Sequence, residues 1–165
     1  MRKLIGIAFL AFCGVSFSEQ APKIEFYERP CIKPYTDYTF QTCNPFVVRV
    51  NDEHVIIPRN FITDLASIPR PLWSLMAPDN AAVIEPSILH DFLYRCPNSL
   101  SRKAVDNIFY AALRKNKNPW YSSMVMYYAV RVFGSSHFSE GHYCAVQLEL
   151  DEQAEITRKY FNNKE

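Results

Sequence analysis

The spacing of apolar residues changes partway along the chain, and that change narrows the fold more than any other feature. Residues 23–29, 35–41, 46–50 and 54–58 are short runs rich in β-branched and aromatic side chains, separated by Pro, Asn and Asp. Such runs read as antiparallel strands. The two central runs are expected to pair as a hairpin, and Asn51-Asp52-Glu53 supplies turn formers between Val50 and His54. From Asp79 onward the period becomes helical. Ile88, Leu89, Phe92 and Leu93 follow Pro86, a residue suited to a first helical turn, and Val105, Ile108, Phe109, Ala112 and Leu113 follow Ser101. A third helix is expected from Asn118-Pro119 as N-cap and first turn to Gly134 as its stop, with Val125, Tyr128, Ala129 and Val132 facing inward. A fourth is expected over 151–163. Strands first and helices afterwards define an α+β fold, a small N-terminal antiparallel sheet followed by three to four helices.

The first 18 residues are set apart by a different pattern. Arg2 and Lys3, the apolar run 4–13, and the small Ser16 and Ser18 match a signal peptide, leaving 19–165 as a single domain and implying a secreted or periplasmic location. The apolar run is well short of the roughly 18 to 20 residues that cross a bilayer as a helix, so no transmembrane segment is expected after cleavage. With 48% hydrophobic and 21% charged residues the chain can bury a core, which excludes disordered and coiled-coil classes. Its 18 basic and 17 acidic side chains nearly balance, so the charge points to no nucleic-acid partner.

Of five cysteines, Cys31, Cys43, Cys96 and Cys144 remain after the leader, an even number that favours disulfides in an exported chain. Cys31 with Cys43 is the favoured pair, stapling the ends of the stretch 34–41; that leaves Cys96 with Cys144. No CxxC spacing supports a thiolate zinc site.

The helix around residue 90 has two faces. Ile88, Leu89, Phe92 and Leu93 share one arc, and Ser87, His90, Asp91 and Tyr94 share the other. His90 and Tyr94 are one turn apart, and Asp106 lies at the edge of the apolar stripe of the next helix. A helical hairpin would bring the Asp106 carboxylate to a His90 ring nitrogen. In such a dyad the carboxylate fixes the imidazole tautomer, and the other nitrogen is left to take a proton from water. A polar face with Asp106 neutralising Arg95 or Arg102 is the plainer alternative.

Two segments carry a resemblance. Phe61-Ile62-Thr63-Asp64-Leu65-Ala66-Ser67-Ile68-Pro69-Arg70 and His90-Asp91-Phe92-Leu93-Tyr94-Arg95, followed by Arg102, Asp106 and Phe109, resemble an uncharacterised domain family of tailed-phage and bacterial genomes over about 60–134. That family implies no activity. The second segment is also similar to the active helices of phospholipases A2. That resemblance implies a metal-assisted hydrolase with His90 as base, Asp106 as its partner, Tyr94 as a supporting hydrogen-bond donor and Asp91 as a calcium ligand. The chain departs from those enzymes in having no glycine-rich loop ahead of the helix. Its glycines after the leader are Gly134 and Gly141. Asp64 is a second candidate carboxylate for a weakly bound divalent cation such as calcium, or simply a turn former before Ser67 and Pro69.

His137, Glu140, His142 and Cys144 share a short loop that reads more readily as solvent-facing than as a metal site. Ser16, Ser67, Ser74 and Ser87 lie in no GxSxG turn. Trp73, Trp120, Tyr127 and Tyr128 read as core. The leading expectation is a hydrolase acting on an unknown substrate, centred on His90, Asp106 and Tyr94 with Asp91 and Asp64 as metal ligands. The alternative is a non-catalytic module that binds an envelope or phage component.

Overall fold

The computed structural model describes residues 20–65, 81–96, 98–138 and 150–161. The expected signal peptide, Trp73, His142 and Cys144 lie outside them. Among the described residues six strands precede four α-helices: β1 (Ile24–Phe26), β2 (Ile32–Thr36), β3 (Thr39–Thr42), β4 (Phe46–Val50), β5 (Glu53–Ile57), β6 (Ile62–Thr63), α1 (Ala81–Arg95), α2 (Arg102–Lys115), α3 (Trp120–Phe133) and α4 (Leu150–Ile156). The α+β class is as the apolar spacing implies.

The strands form two antiparallel three-stranded sheets, ordered β1-β4-β5 and β2-β3-β6. The β4–β5 hairpin turns at Asn51, whose φ of 55° suits an asparagine. The expected pairing of runs 35–41 and 46–50 does not occur. The first run folds back on itself instead, because Asp37-Tyr38 forms a turn that pairs β2 with β3, and the two runs go to different sheets. Cys31 and Cys43 are disulfide-bonded across the open end of this β2–β3 hairpin, with Cα atoms 5.2 Å apart. Cys96 is also disulfide-bonded, to a residue outside those described.

Strand β4 is central in its sheet, and Phe46, Val47 and Val48 are all fully buried, so the in–out alternation of a one-faced sheet is lost there. Phe46, Val48, Ile57 and Phe61 meet Ile88, Leu89 and Leu93 of α1 and Val105, Ile108 and Ala112 of α2 in the main core. A second cluster joins Val83, Phe109 and Leu113 to Met126 of α3. Helix α1 begins at Ala81, so Pro86 lies inside it, beyond the first turn, and forfeits one backbone hydrogen bond there. Ser101 caps α2 as expected, its hydroxyl accepting from the Ala104 N–H at 3.2 Å.

Helix α3 inverts the expected orientation. Val125, Tyr128 and Val132 are exposed, as is Trp120 at 64%, while Ser122, Ser123 and Met126 face inward. The reason is local: Asn118, expected to cap the helix, is buried and donates its amide to the hydroxyls of Ser122 at 3.1 Å and Ser123 at 3.0 Å. Those bonds turn the serines in and the aromatics out. Among the described residues no helix is long and apolar enough to cross a membrane.

Candidate functional site

Helices α1 and α2 are linked by the short connection 96–101 and pack side by side. This buries the polar arc of α1 as thoroughly as its apolar arc. Ser87 is fully buried, His90 is 6% exposed and Tyr94 4% exposed, so the face does not meet solvent but Asp106, itself wholly buried on α2. The His90 ring is clasped by Tyr94, at 4.0 Å between centroids, and by Phe109 at 4.6 Å.

Asp106 is the hub. Its Oδ1 lies 3.1 Å from His90 Nε2 and accepts from the Tyr94 hydroxyl at 2.5 Å, and its Oδ2 accepts from Arg131 Nη1 of α3 at 2.7 Å. Burial alone would raise the Asp106 carboxyl, but the bonds from His90, Tyr94 and Arg131 outweigh it and hold the group below the usual carboxylate range. An ionised carboxylate only accepts, so Nε2 must carry the ring proton and Nδ1 holds the lone pair. Burial also lowers the His90 pKa, with Asp106 and Asp64 pulling the other way, and the imidazole is neutral at pH 7. Among the described residues nothing bonds Nδ1. Tyr94 is pushed far above its ordinary value by burial and by the Asp106 charge, and it remains a donor.

Arg131 and Gly134 contribute to the Asp106 network in ways that the sequence pattern did not show. Arg131 is the one ionisable cation in α3 and reaches inward to Asp106, in place of the Arg95 or Arg102 expected as its ion-pair partner. A lone charge in an otherwise uncharged aromatic helix was the available signal. Gly134, expected as a helix stop, does more. A Cβ there would sit 2.9 Å from the Tyr94 hydroxyl oxygen and 3.1 Å from its ring, so the glycine leaves room for the tyrosine. Arg102 does not pair with Asp106; it donates to the carbonyl of Arg131 at 3.1 Å and ties α2 to the end of α3.

A second polar group lies one residue along α1. Oδ2 of Asp91 accepts from the Thr63 hydroxyl and from the Asp64 N–H at 3.3 Å, and Arg95 Nη2 lies 3.7 Å away. The Arg95 guanidinium also donates to the Ile62 carbonyl at 2.6 Å and covers the Phe61 ring. The Thr63-Asp64-Leu65 turn is closed by a bond from the Leu65 N–H to Thr63 Oγ1 at 3.1 Å, with Leu65 at a φ of 52°. A buried leucine rarely takes that conformation, and its packing against the core holds it there. Burial and the neighbouring Asp64 carboxyl raise Asp91 well above the usual range, against the pull of Arg95 and Thr63. The fold therefore brings Asp64 and Asp91 together, as it brings His90, Asp106 and Tyr94 together. Two carboxylates are few for calcium, which takes about six to eight oxygens. Among the described residues no group of three or more His, Cys, Asp or Glu side chains is placed to hold a metal ion. His137 is exposed, and Glu140, His142 and Cys144 lie outside the described residues.

The molecule is thus an α+β protein that buries a His-Asp-Tyr-Arg network between three helices and sets a carboxyl pair beside it. The family model described as "protein of unknown function (DUF1353)" matches residues 40–130, more than half of the chain, and the protein belongs to that family. The match spans β3 to most of α3 and contains every candidate residue of the two groups except Arg131 and Gly134. Neither a curated protein nor a solved structure matches the chain.

Proposed function

We propose that the protein is an exported hydrolase in which His90 is the general base. The observation that carries this reading is the contact of His90 Nε2 with Asp106 Oδ1 at 3.1 Å, with Asp106 kept ionised by Tyr94 and Arg131. Asp106 orients the ring, and Nδ1 takes a proton from water as the hydroxide oxygen adds to the carbonyl carbon of an ester. The proton then passes from Nδ1 to the leaving oxygen as the tetrahedral intermediate collapses. Arg131 shares the Asp106 charge, so the carboxylate serves more to fix the tautomer than to stabilise an imidazolium. The disulfide-bonded Cys31, Cys43 and Cys96 support export to an oxidising compartment. Asp64 and Asp91 would hold a divalent cation weakly, at around 0.1–1 mM as in loosely built extracellular sites.

The test is hydrolysis of a panel of carboxylic esters and phospholipids by the mature protein, with and without calcium. His90→Asn should lower turnover by about 100- to 10,000-fold, and the Asp106→Asn loss should not add to it, because a base and its orienter act as a unit. Calorimetry should show calcium binding lost in Asp91→Asn and kept in His142→Ala. A folded protein that turns over nothing in the panel would favour the second reading, a non-catalytic module that binds an envelope or phage component. The aromatic outer face of α3 favours that reading.

A further inference from the structure

The outer face of α3 combines three features. Tyr121, Val125, Tyr128 and Val132 recur at steps of four, three and four residues, so they form one stripe along the 14-residue helix, and all are exposed. Trp120 and Phe133, 64% and 65% exposed, extend it at the two ends. This is the reverse of a helix that buries its large apolar side chains, and it is fixed by the Asn118–serine bonds on the inner side.

The charge beside the start of the stripe is predominantly basic, with the Glu85 carboxylate of α1 reaching Asn116 between two lysines. From Asn107 to Ser139 the sequence contains no Asp or Glu, whereas Arg114, Lys115 and Lys117 fall just ahead of the stripe; Arg131 turns inward to Asp106 and adds nothing to the face. Lys115 and Lys117 are exposed at the end of α2 and in the turn that leads into Trp120, and neither forms an ion pair among the described residues. In a chain whose total charge is close to zero, this is a segregated cationic and aromatic face.

The partner must therefore supply both negative charge and apolar depth. A second copy of the chain supplies only the latter. Pairing two α3 helices would add Lys115 and Lys117 of each copy to one interface with no carboxylate of 107–139 to neutralise them. An anionic bilayer surface supplies both. Its acyl boundary receives Val125 and Val132, its headgroup layer suits the amphipathic rings of Trp120, Tyr121 and Tyr128, and its phosphates face the lysines. We infer that α3 is a membrane-docking helix that lies flat on an anionic lipid surface, with Trp120, Tyr121, Val125, Tyr128 and Val132 inserted and Lys115 and Lys117 at the headgroups. The inference does not rest on the hydrolytic reading.

The experiment is co-sedimentation of the mature protein with vesicles of phosphatidylcholine alone and of equimolar phosphatidylcholine and phosphatidylglycerol, paired with light scattering of the free protein. The mature protein should be monomeric and should pellet with the mixed vesicles, losing binding as salt is raised. Lys115→Gln/Lys117→Gln should weaken binding by about 25-fold, from roughly five-fold per basic residue at the surface. Tyr128→Asp/Val132→Asp should abolish pelleting while leaving the circular dichroism and thermal midpoint unchanged, because both side chains are already exposed. Mixing with anionic vesicles should shift tryptophan emission to the blue, a shift that Trp120→Phe removes. Failure of the mature protein to pellet with the mixed vesicles at low salt would overturn the inference. So would a dimer that Tyr128→Asp/Val132→Asp converts to monomer, since the face would then be a self-interface.

Discussion

The Tyr94 hydroxyl donates to Asp106 Oδ1 at 2.5 Å, the same oxygen that His90 Nε2 approaches at 3.1 Å. The other oxygen is occupied by Arg131. Asp106 is wholly buried, so it is a charge withdrawn from water and compensated by three donors from two other helices. Compensation of that kind makes removal of any one partner expensive, because the remaining groups stay buried without it.

Asp106→Ala is therefore expected to destabilise the fold by about 3–5 kcal/mol. Tyr94→Phe, which removes one donor to a charged acceptor, should cost about 1.5–3 kcal/mol. The two should be non-additive by at least about 0.5 kcal/mol, because they share one hydrogen bond. Urea unfolding of the four proteins of the cycle measures this. Strict additivity would mean that the tyrosine and the aspartate do not interact in solution.

Acid acts on the fold through groups of opposite sign: Asp91, raised well above 3.8, takes up its proton first in the folded chain and adds stability as pH falls, whereas His90 and Asp106 lose it. The folded His90 pKa is depressed below its ordinary 6.5, so the unfolded chain takes up that proton first. The His90 contribution should therefore fall as pH drops below about 6.5, by at most about 1.4 kcal/mol per pH unit. Asp106 is depressed below its ordinary 3.8, so its contribution is complete above that value and is lost as pH falls through its folded pKa. Followed from pH 7.5 to 3, the urea midpoint of the natural chain should lose ground on that of His90→Gln below about 6.5, and both should fall together as Asp106 is protonated. A curve for His90→Gln parallel to that of the natural chain above pH 5 would show that His90 titrates alike in both states.

Much of the helical hairpin was legible because its signals are local and repeated. The apolar spacing of α1 and α2, the Ser101 cap and the placement of Asp106 opposite His90 all follow from a period of 3.6 residues and a short connection. The failures have physical causes. In α3 the hydropathy stripe was read as the buried face, but a buried asparagine with two serine partners is a stronger local constraint than an aromatic stripe with nothing to pack against. Arg131 was missed because its partner lies 25 residues away on another helix. Thr63 was missed as a donor to Asp91 for the same reason, 28 residues apart. The turn at Asp37-Tyr38 carried only a weak signal inside a run that otherwise reads as one strand.

The cysteine pairing makes a chemical prediction. Cys31–Cys43 closes a loop with a sequence separation of 12, and Cys96 is also oxidised. Thiol titration of the unfolded, unreduced protein spanning residues 19–165 should find no reactive thiol. Cys31→Ser/Cys43→Ser should lose on the order of 2–4 kcal/mol, as expected for a short closed loop. Four titratable thiols would contradict both bridges.

Gly134 ties the end of α3 to the site, and its replacement distinguishes packing from helix termination. The residue adopts a φ of −76°, an ordinary helical value that any residue accepts, so backbone strain does not require glycine here. What requires it is the Tyr94 side chain, whose hydroxyl oxygen and Cε1 lie 2.9 and 3.1 Å from where a Cβ would stand. Gly134→Ala must push the tyrosine away from Asp106 or shift α3, at a cost of about 1–3 kcal/mol. If the clash with the hydroxyl dominates, Tyr94→Phe removes the nearest atom. Gly134→Ala should then cost at least about 1 kcal/mol less in the Tyr94→Phe background than in the natural one. Urea unfolding of the cycle decides the matter. An alanine that is neutral in both backgrounds would mean that glycine serves only to stop the helix, whereas an equal loss in both would place the clash on the ring rather than on the hydroxyl that holds Asp106.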